Sequence, residues 1–115
     1  MKIHHIMLRV YDIDKALDFY QKVLGLSVTQ ERDFKDAKYY YLGESRSEDE
    51  AKLVLCYNFN HPEKYSHGSH FGHISFGVKS MDEVTERLHS HNMEYTRKPF
   101  ITDDGYHISF VKDPD

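Results

Sequence analysis

The chain has 115 residues, a net charge of −4, 39% hydrophobic residues and 14% aromatic residues. This length suits one compact domain with its own core. Acidic and basic residues are interspersed, which argues against a polybasic surface for nucleic acid or membrane and favours a small molecule or another protein as partner. Cys56 is the single cysteine, so no internal disulfide can form. No apolar run is long enough for a signal peptide or membrane span, which predicts a cytoplasmic protein.

The first half of the chain predicts a strand, a helix and three further strands. Residues 3–10 mix apolar and polar residues as a strand does. Asp12 can cap a helix over 13–24, and Gly25 stands where a left-handed residue would end it. The charged stretch 31–35 predicts a solvated connection between two of the remaining strands, which we expect over 26–30, 37–42 and 51–57.

The second half predicts the same order of elements. Residues 71–78 read as a strand, and Ser80 followed by Glu83 is a capping-box signal for a helix that begins at Met81 and ends near Asn92. The remaining elements are a short strand over 93–96, a turn at Asp103-Asp104-Gly105 and a last strand over 106–112.

The two halves also repeat each other in sequence. When His5 is placed over His73, the histidines, the apolar strand positions and the helix caps coincide without a gap. This predicts one module used twice, over 1–58 and 70–115, within a single domain over 1–115. A lone histidine at a strand's start is more often a hydrogen-bonded residue than a ligand. The paired placement favours metal-ligand roles for both, because equivalent strands can converge on one cavity.

Five segments carry a resemblance to the glyoxalase I (lactoylglutathione lyase) family of the vicinal oxygen chelate superfamily. They are His5-x-Met-Leu-Arg-Val, Leu17-Asp-Phe-Tyr-Gln-Lys-Val-Leu-Gly, Leu55-Cys-Tyr-Asn, Phe71-Gly-His-Ile and Phe110-Val-Lys-Asp-Pro-Asp. The resemblance implies an α+β fold of two βαβββ modules. It also implies a homodimer with cavities between modules of different subunits, and a divalent metal such as nickel or zinc.

The resemblance assigns roles to particular residues. His5 and His73 match two of four metal-ligand positions, and Val54 stands at the third, where the family has a glutamate. Two histidines alone predict an ion that is weakly held or absent. Cys56 shares a face with Val54, but a lone cysteine in a strand is more often a small core residue. The positions that bind glutathione in the family are matched here by Arg9, Asn58 and Arg97.

The sequence has no segment that corresponds to the last strand of the second module. The family's fourth ligand is a glutamate on that strand, which is also the base that transfers the proton. We therefore expect the natural chain to continue beyond Asp115 with a strand that bears a glutamate.

Three functions are compatible with these residues. The first is isomerisation of the methylglyoxal-glutathione hemithioacetal to S-lactoylglutathione with a divalent metal. The second is a metal-deficient, catalytically impaired protein that binds a small molecule, which Val54 favours. The third, a thiol transferase of the same superfamily that confers antibiotic resistance, explains Asn58 and the Asp-Pro-Asp turn less well.

Overall fold

A computed structural model describes all 115 residues and divides into two compact units. Unit 1 contains residues 1–66 together with 114–115, and unit 2 contains residues 67–113. The end of the chain belongs to unit 1, where the backbone N–H of Tyr11 donates to Oδ1 of Asp115 at 2.8 Å. The interpretation of the two units as a single domain stays a prediction.

Unit 1 is built on a four-stranded mixed sheet. Its strands lie in the order β1-β4-β3-β2, with β1 parallel to β4 and the other neighbours antiparallel. The strands are β1 His5–Arg9, β2 Ser27–Asp33, β3 Ala37–Gly43 and β4 Lys52–Asn58. Residues that stand opposite each other in neighbouring strands point to the same side, so the register defines two faces.

We call one side of this sheet the His5 face. It carries His5, Met7 and Arg9 of β1, Lys52, Val54 and Cys56 of β4, and Tyr39 and Tyr41 of β3. The other side, the helix face, carries Leu53 and Leu55 of β4 and Tyr40 of β3. The first helix packs against β4, and the negative charge of its residue Asp14 is close enough to raise the pKa of Tyr40. Because Tyr40 is on the helix face, the first helix lies over that side.

The first helix begins where the sequence predicts and ends differently. α1 spans Ile13–Asp18, and Oδ1 of Asp12 accepts from the N–H of Lys15 at 3.1 Å. The predicted helix over 13–24 continues only as a π-helical turn, Phe19–Val23, whose side chains Phe19, Tyr20 and Val23 are all buried. Together with buried Ala16 these three residues keep the helical spacing i, i+3, i+4 and i+7, so the widened turn still presents one side to the core. Gly25 then ends the segment with a φ of 75°.

The predicted solvated connection over 31–35 is partly strand, because β2 extends to Asp33. A bulge between Val28 and Gln30 makes the extension possible, and Oγ1 of Thr29 donates to the carbonyl of Tyr41 at 3.2 Å. The extra residue shifts the alternation of β2. Beyond it, the positions on the His5 face are Gln30 and Arg32, and those on the helix face are Glu31 and Asp33.

Unit 2 contains one helix and a two-stranded antiparallel sheet. Its elements are α2 Met81–Ser90, β5 Arg97–Ile101 and β6 His107–Phe110. Oγ of Ser80 accepts from the N–H of Glu83 at 3.2 Å, as the capping signal predicts. The turn before β6 places Gly105 at a φ of 90°, a conformation that glycine adopts without steric cost. Neither α2 nor α1 has the length and hydrophobicity that crossing a membrane would require.

Two predicted strands of the second half are wrong. Residues 71–78 form no regular secondary structure, and β5 begins at Arg97, after the predicted strand over 93–96. In unit 1 the equivalent of 71–78 is β1, which pairs only with β4. No counterpart of β4 lies within unit 2, so the strand-like pattern of 71–78 has no such partner for its backbone hydrogen bonds.

Candidate functional site

His5, the predicted ligand of unit 1, presents an exposed ring at the start of β1. Its Nδ1 lies 2.7 Å from Nδ1 of His4, and its ring meets Tyr41 edge-on with 5.8 Å between centroids. The hydrogen bond fixes which ring nitrogen faces away from the protein, in the way that partners of metal-binding histidines do. Nε2 of His5 is therefore the nitrogen that remains for a ligand.

Val54 lies at the centre of the His5 face, together with Lys52 and Cys56, which the alternation of β4 places on the same side. It stands opposite Met7 on one side and Tyr41 on the other, and none of its surface is exposed. An isopropyl side chain offers no lone pair to an ion. The position to which the resemblance assigns a third metal ligand is therefore filled by packed hydrocarbon.

Cys56 and Arg9 are opposite neighbours farther along the same face. Burial raises the pKa of the Cys56 thiol, and the positive charge of Arg9 opposes that shift without reversing it. The thiol therefore stays protonated at neutral pH, and a protonated thiol is a poor metal ligand. Arg9 is exposed, so its guanidinium is accessible to a charged ligand.

Asn58 ends β4 and is half-buried. Its Nδ2 donates to the hydroxyl of Tyr65 at 2.8 Å, and the Tyr65 ring stacks on His61 with 4.0 Å between centroids. One amide donor is thus committed to the loop after β4. The carbonyl oxygen of Asn58 can still accept a hydrogen bond, as recognition of a peptide N–H group requires.

The two predicted site residues of unit 2 each contact an aromatic ring of that unit. His73 is exposed and meets Phe110 edge-on at 6.0 Å between centroids. The guanidinium of Arg97 lies over the ring of Phe100, 3.8 Å from its centroid. Stacking restricts the orientations of the arginine while leaving its N–H groups at the edge for a ligand.

These positions do not make a complete metal site. His5, Arg9 and Asn58 share the His5 face of unit 1, whereas His73 and Arg97 belong to unit 2. Nowhere in the 115 residues do three histidine, cysteine, aspartate or glutamate side chains come together as a group that could hold an ion. Because catalytic zinc-like sites usually have three protein ligands, the donors present do not fit a tightly held divalent metal.

A buried ion pair is the feature of this face that the sequence reasoning missed. Lys52 is only 9% exposed, and its ammonium contacts Glu50 and the carbonyl of Ser45. The Glu50 carboxylate also accepts from the N–H groups of Glu44 and Ser45, at 2.6 and 3.0 Å. The lysine and these backbone donors lower the pKa of Glu50 to about 2. The available signal was a lysine alternating with Val54 and Cys56 on a buried strand.

The ion pair anchors a loop beside an open cavity. Residues 44–50, which we call the strap, follow Gly43, where a Cβ would stand 2.9 Å from Cδ of Lys52 and 3.0 Å from its Nζ. Glycine therefore makes room for the lysine. The cavity has a volume of about 150 Å³, and its lining includes His4, Gln30, Tyr41, Arg46, Glu48 and Lys52.

Comparison with known proteins assigns one superfamily to nearly the whole chain. Residues 2–115 match the Glyoxalase/Bleomycin resistance protein/Dioxygenase superfamily. The chain is a member of this superfamily, with the vicinal oxygen chelate fold of the α+β class.

Its similarity to lactoylglutathione lyases extends over the whole chain. The lactoylglutathione lyase of Haemophilus influenzae is 36% identical over 118 aligned positions, covering 100% of this chain and 87% of that protein. Among solved structures, glyoxalase I from Zea mays superposes with a TM-score of 0.89 at 26% identity, covering 99% of this chain and 41% of that one. A trypanothione-dependent glyoxalase I from Leishmania major gives 0.76 at 26% identity, covering 96% and 86%.

Proposed function

We propose that this protein isomerises the hemithioacetal of methylglyoxal and glutathione to S-lactoylglutathione. The observation that carries the proposal is the full-length similarity to lactoylglutathione lyases. The position of His5 also supports it, because that exposed ring ends a sheet face that carries Arg9 and Asn58.

The reaction moves one proton between neighbouring carbons. The carbon bonded to sulfur loses its hydrogen as a proton, and the adjacent carbonyl carbon gains one. The hydroxyl on the first carbon gives up its proton and becomes the thioester carbonyl, while the oxygen on the second carbon takes up a proton and becomes the hydroxyl of the lactoyl group. Within the proposal, Arg9 and Arg97 bind carboxylates of the glutathione part, and the Asn58 amide binds a peptide group. His5 and His73 would supply two neutral imidazole nitrogens to a divalent metal.

We assign no step to a metal, because the donors present are too few to hold one tightly. This deficit favours the second candidate function, a metal-deficient protein that binds a small molecule without converting it. Val54, fully buried where a carboxylate would be needed, is the specific observation behind that alternative.

The activity test is the formation of S-lactoylglutathione by the purified protein, with metal content measured on the same sample. We expect His5→Gln to lower kcat/KM by on the order of 100-fold. His89→Gln is the matched control, because it changes an exposed histidine of α2 in the same way. Equal activity of the two variants would remove His5 from the site.

The Val54→Glu variant separates the two candidate functions. The new carboxylate would be buried, which destabilises the protein unless a cation neutralises it. If His5 and Val54 border an ion site, nickel or zinc should raise the Tm of the variant more than that of the parent. Equal destabilisation with and without metal would show that Val54 belongs to the core alone. Tight binding of one ion by the parent would instead refute our ligand assignment.

The proposal includes a cytoplasmic homodimer. Exposed apolar side chains support association with a second copy, since several are at least half-exposed: Ile3 at 67%, Phe71 at 51%, Ile101 at 63% and Tyr106 at 68%. Light scattering at micromolar concentration tests it. A monomer mass with a stable fold would contradict it.

A further inference from the structure

The cavity in unit 1 lies next to residues that contact the ring of His5, although His5 itself is not part of its wall. Two of its wall residues contact that ring: His4 through the bond between Nδ1 atoms, and Tyr41 through the edge-on ring contact. Lys52, a third wall residue, stands opposite His5 in the pairing of β1 with β4. A substrate that reacts at His5 therefore has this cavity one side chain away from its reacting end.

The cavity is rich in hydrogen-bond donors that are not committed elsewhere. The Lys52 ammonium has three N–H groups, and Ser45 and Glu50 accept two of them. Arg46, on the strap, is exposed and forms no ion pair in unit 1. Gln30 and Tyr41 add an amide and a phenolic hydroxyl to the same wall.

Negative charge around the cavity is largely neutralised or directed away. Glu50 already accepts hydrogen bonds from Lys52, Glu44 and Ser45. None of the strand positions on the His5 face is an aspartate or a glutamate. Glu48 is the remaining carboxylate of the lining, and it is exposed, where solvent and salt screen its charge.

We infer that this cavity binds a carboxylate, so that the preferred oxoaldehyde carries a negative charge at the end remote from its aldehyde. The inference rests on the proposed function and specifies its substrate class. Arg46 and Lys52 supply charge-assisted hydrogen bonds to the carboxylate. A methyl group in the same place would accept no hydrogen bond from Arg46 or Lys52, so their N–H groups would stay bound to water. Contact with so polar a wall would add little binding free energy.

The first experiment compares two hemithioacetals of glutathione. One is made from methylglyoxal, and the other from 4,5-dioxopentanoate, an α-oxoaldehyde with a carboxylate at its far end. We expect kcat/KM to be about tenfold higher for the carboxylate substrate, and lower KM to account for most of the difference. A ratio of one or less would overturn the inference while leaving the proposed function intact.

Variants of the wall test which groups cause the preference. Arg46→Gln should reduce the ratio of the two kcat/KM values about tenfold, whereas Glu48→Gln should increase it about twofold. Gly43→Ala leaves every charge in place but forces Lys52 to move, so it should also reduce the ratio. Arg87→Gln is the matched control, because it removes the same charge from α2 of unit 2. If Arg87→Gln lowered the ratio as much as Arg46→Gln does, the preference would depend on net charge alone, and the carboxylate site would be refuted.

A binding measurement keeps the inference testable if neither hemithioacetal is converted. Levulinate carries the same carboxylate without the aldehyde, and 2-pentanone is its uncharged counterpart. We expect levulinate, and not 2-pentanone, to shift the NMR signals of unit 1 around Gln30 and Tyr41, with about tenfold weaker binding to Arg46→Gln. Absence of turnover with this binding refutes the proposed function alone. Levulinate binding that is absent, or unchanged in Arg46→Gln, refutes the carboxylate site.

Discussion

The two units begin from nearly the same sequence pattern and reach different structures. Eleven of the twelve buried hydrophobic residues belong to unit 1, and Leu88 of α2 is the one from unit 2. The strand that starts unit 1 pairs with β4, whereas residues 71–78 of unit 2 form no strand. The difference teaches that a strand-like pattern becomes a strand only where another segment can take its hydrogen bonds.

Amide hydrogen exchange should show this contrast most strongly. The central residues of β4, Leu53 to Cys56, are buried and have strands on both sides, so their amides should exchange only through global unfolding, at about 5–15 kcal/mol. Amides of 71–78 should exchange close to the rate of an unstructured peptide. Comparable protection of the two segments would show that 71–78 is hydrogen-bonded in solution.

Core substitutions should show the same difference as free energy of unfolding. Leu55→Ala removes a fully buried side chain from β4 and should cost about 2–5 kcal/mol in urea denaturation. Ile108→Ala, in β6, should cost about 1 kcal/mol, because the half-buried Ile108 side chain has less apolar surface buried than Leu55 has. A larger loss for Ile108→Ala would mean that unit 2 has a more closely packed interior than its exposure indicates.

The Lys52–Glu50 pair should make the stability of unit 1 depend on pH in the acidic range. Because folding lowers the pKa of Glu50 from 4.5 to about 2, its stabilisation is present above pH 4.5 and is lost as the pH falls towards 2. The loss is at most about 3 kcal/mol, and solvent screening reduces it. Glu50→Gln should flatten this part of the stability profile, measured by denaturation between pH 5 and pH 2. Glu86→Gln, on α2, should leave the profile unchanged.

Substitutions at the helix caps should have the smallest effects on the free energy of unfolding, and these effects should be similar in the two units. Asp12→Ala and Ser80→Ala each remove one side-chain acceptor from a first-turn N–H, and each should cost about 1 kcal/mol. Serine at position 12 and aspartate at position 80 should restore most of that stability. A cost confined to one helix would indicate that the other end is held by packing instead of its cap.

Local signals in the sequence predicted local structure well. The caps at Asp12 and Ser80 and the end of the first helical segment at Gly25 followed from residues close together in the chain, and the family followed from five short segments in their order. The π-helical turn and the extension of β2 did not, because each depends on side chains packed from other elements. For the site, the face shared by Val54 and Cys56 could be predicted from alternation, whereas its link to His5 followed only from the family resemblance. The burial of Lys52 by Glu50 depends on how the strap folds back.

The bulge at Thr29 decides which charges meet the candidate site. With the extra residue, β2 presents Gln30 and Arg32 to the His5 face and sends Glu31 and Asp33 to the other side, where both pair with Lys38 at 3.1 and 3.7 Å. If Thr29 took a regular place in the ladder opposite Tyr41, every residue after it in β2 would change sides, because a one-residue slip exchanges the two sides of a strand. The face would then hold two carboxylates where it now holds an amide and a guanidinium. Deletion of Thr29 would instead remove the extra residue and leave Gln30 opposite Tyr41. A bulge of one residue thus separates a surface suited to anions from one suited to cations, with no change in the charged residues that β2 contains.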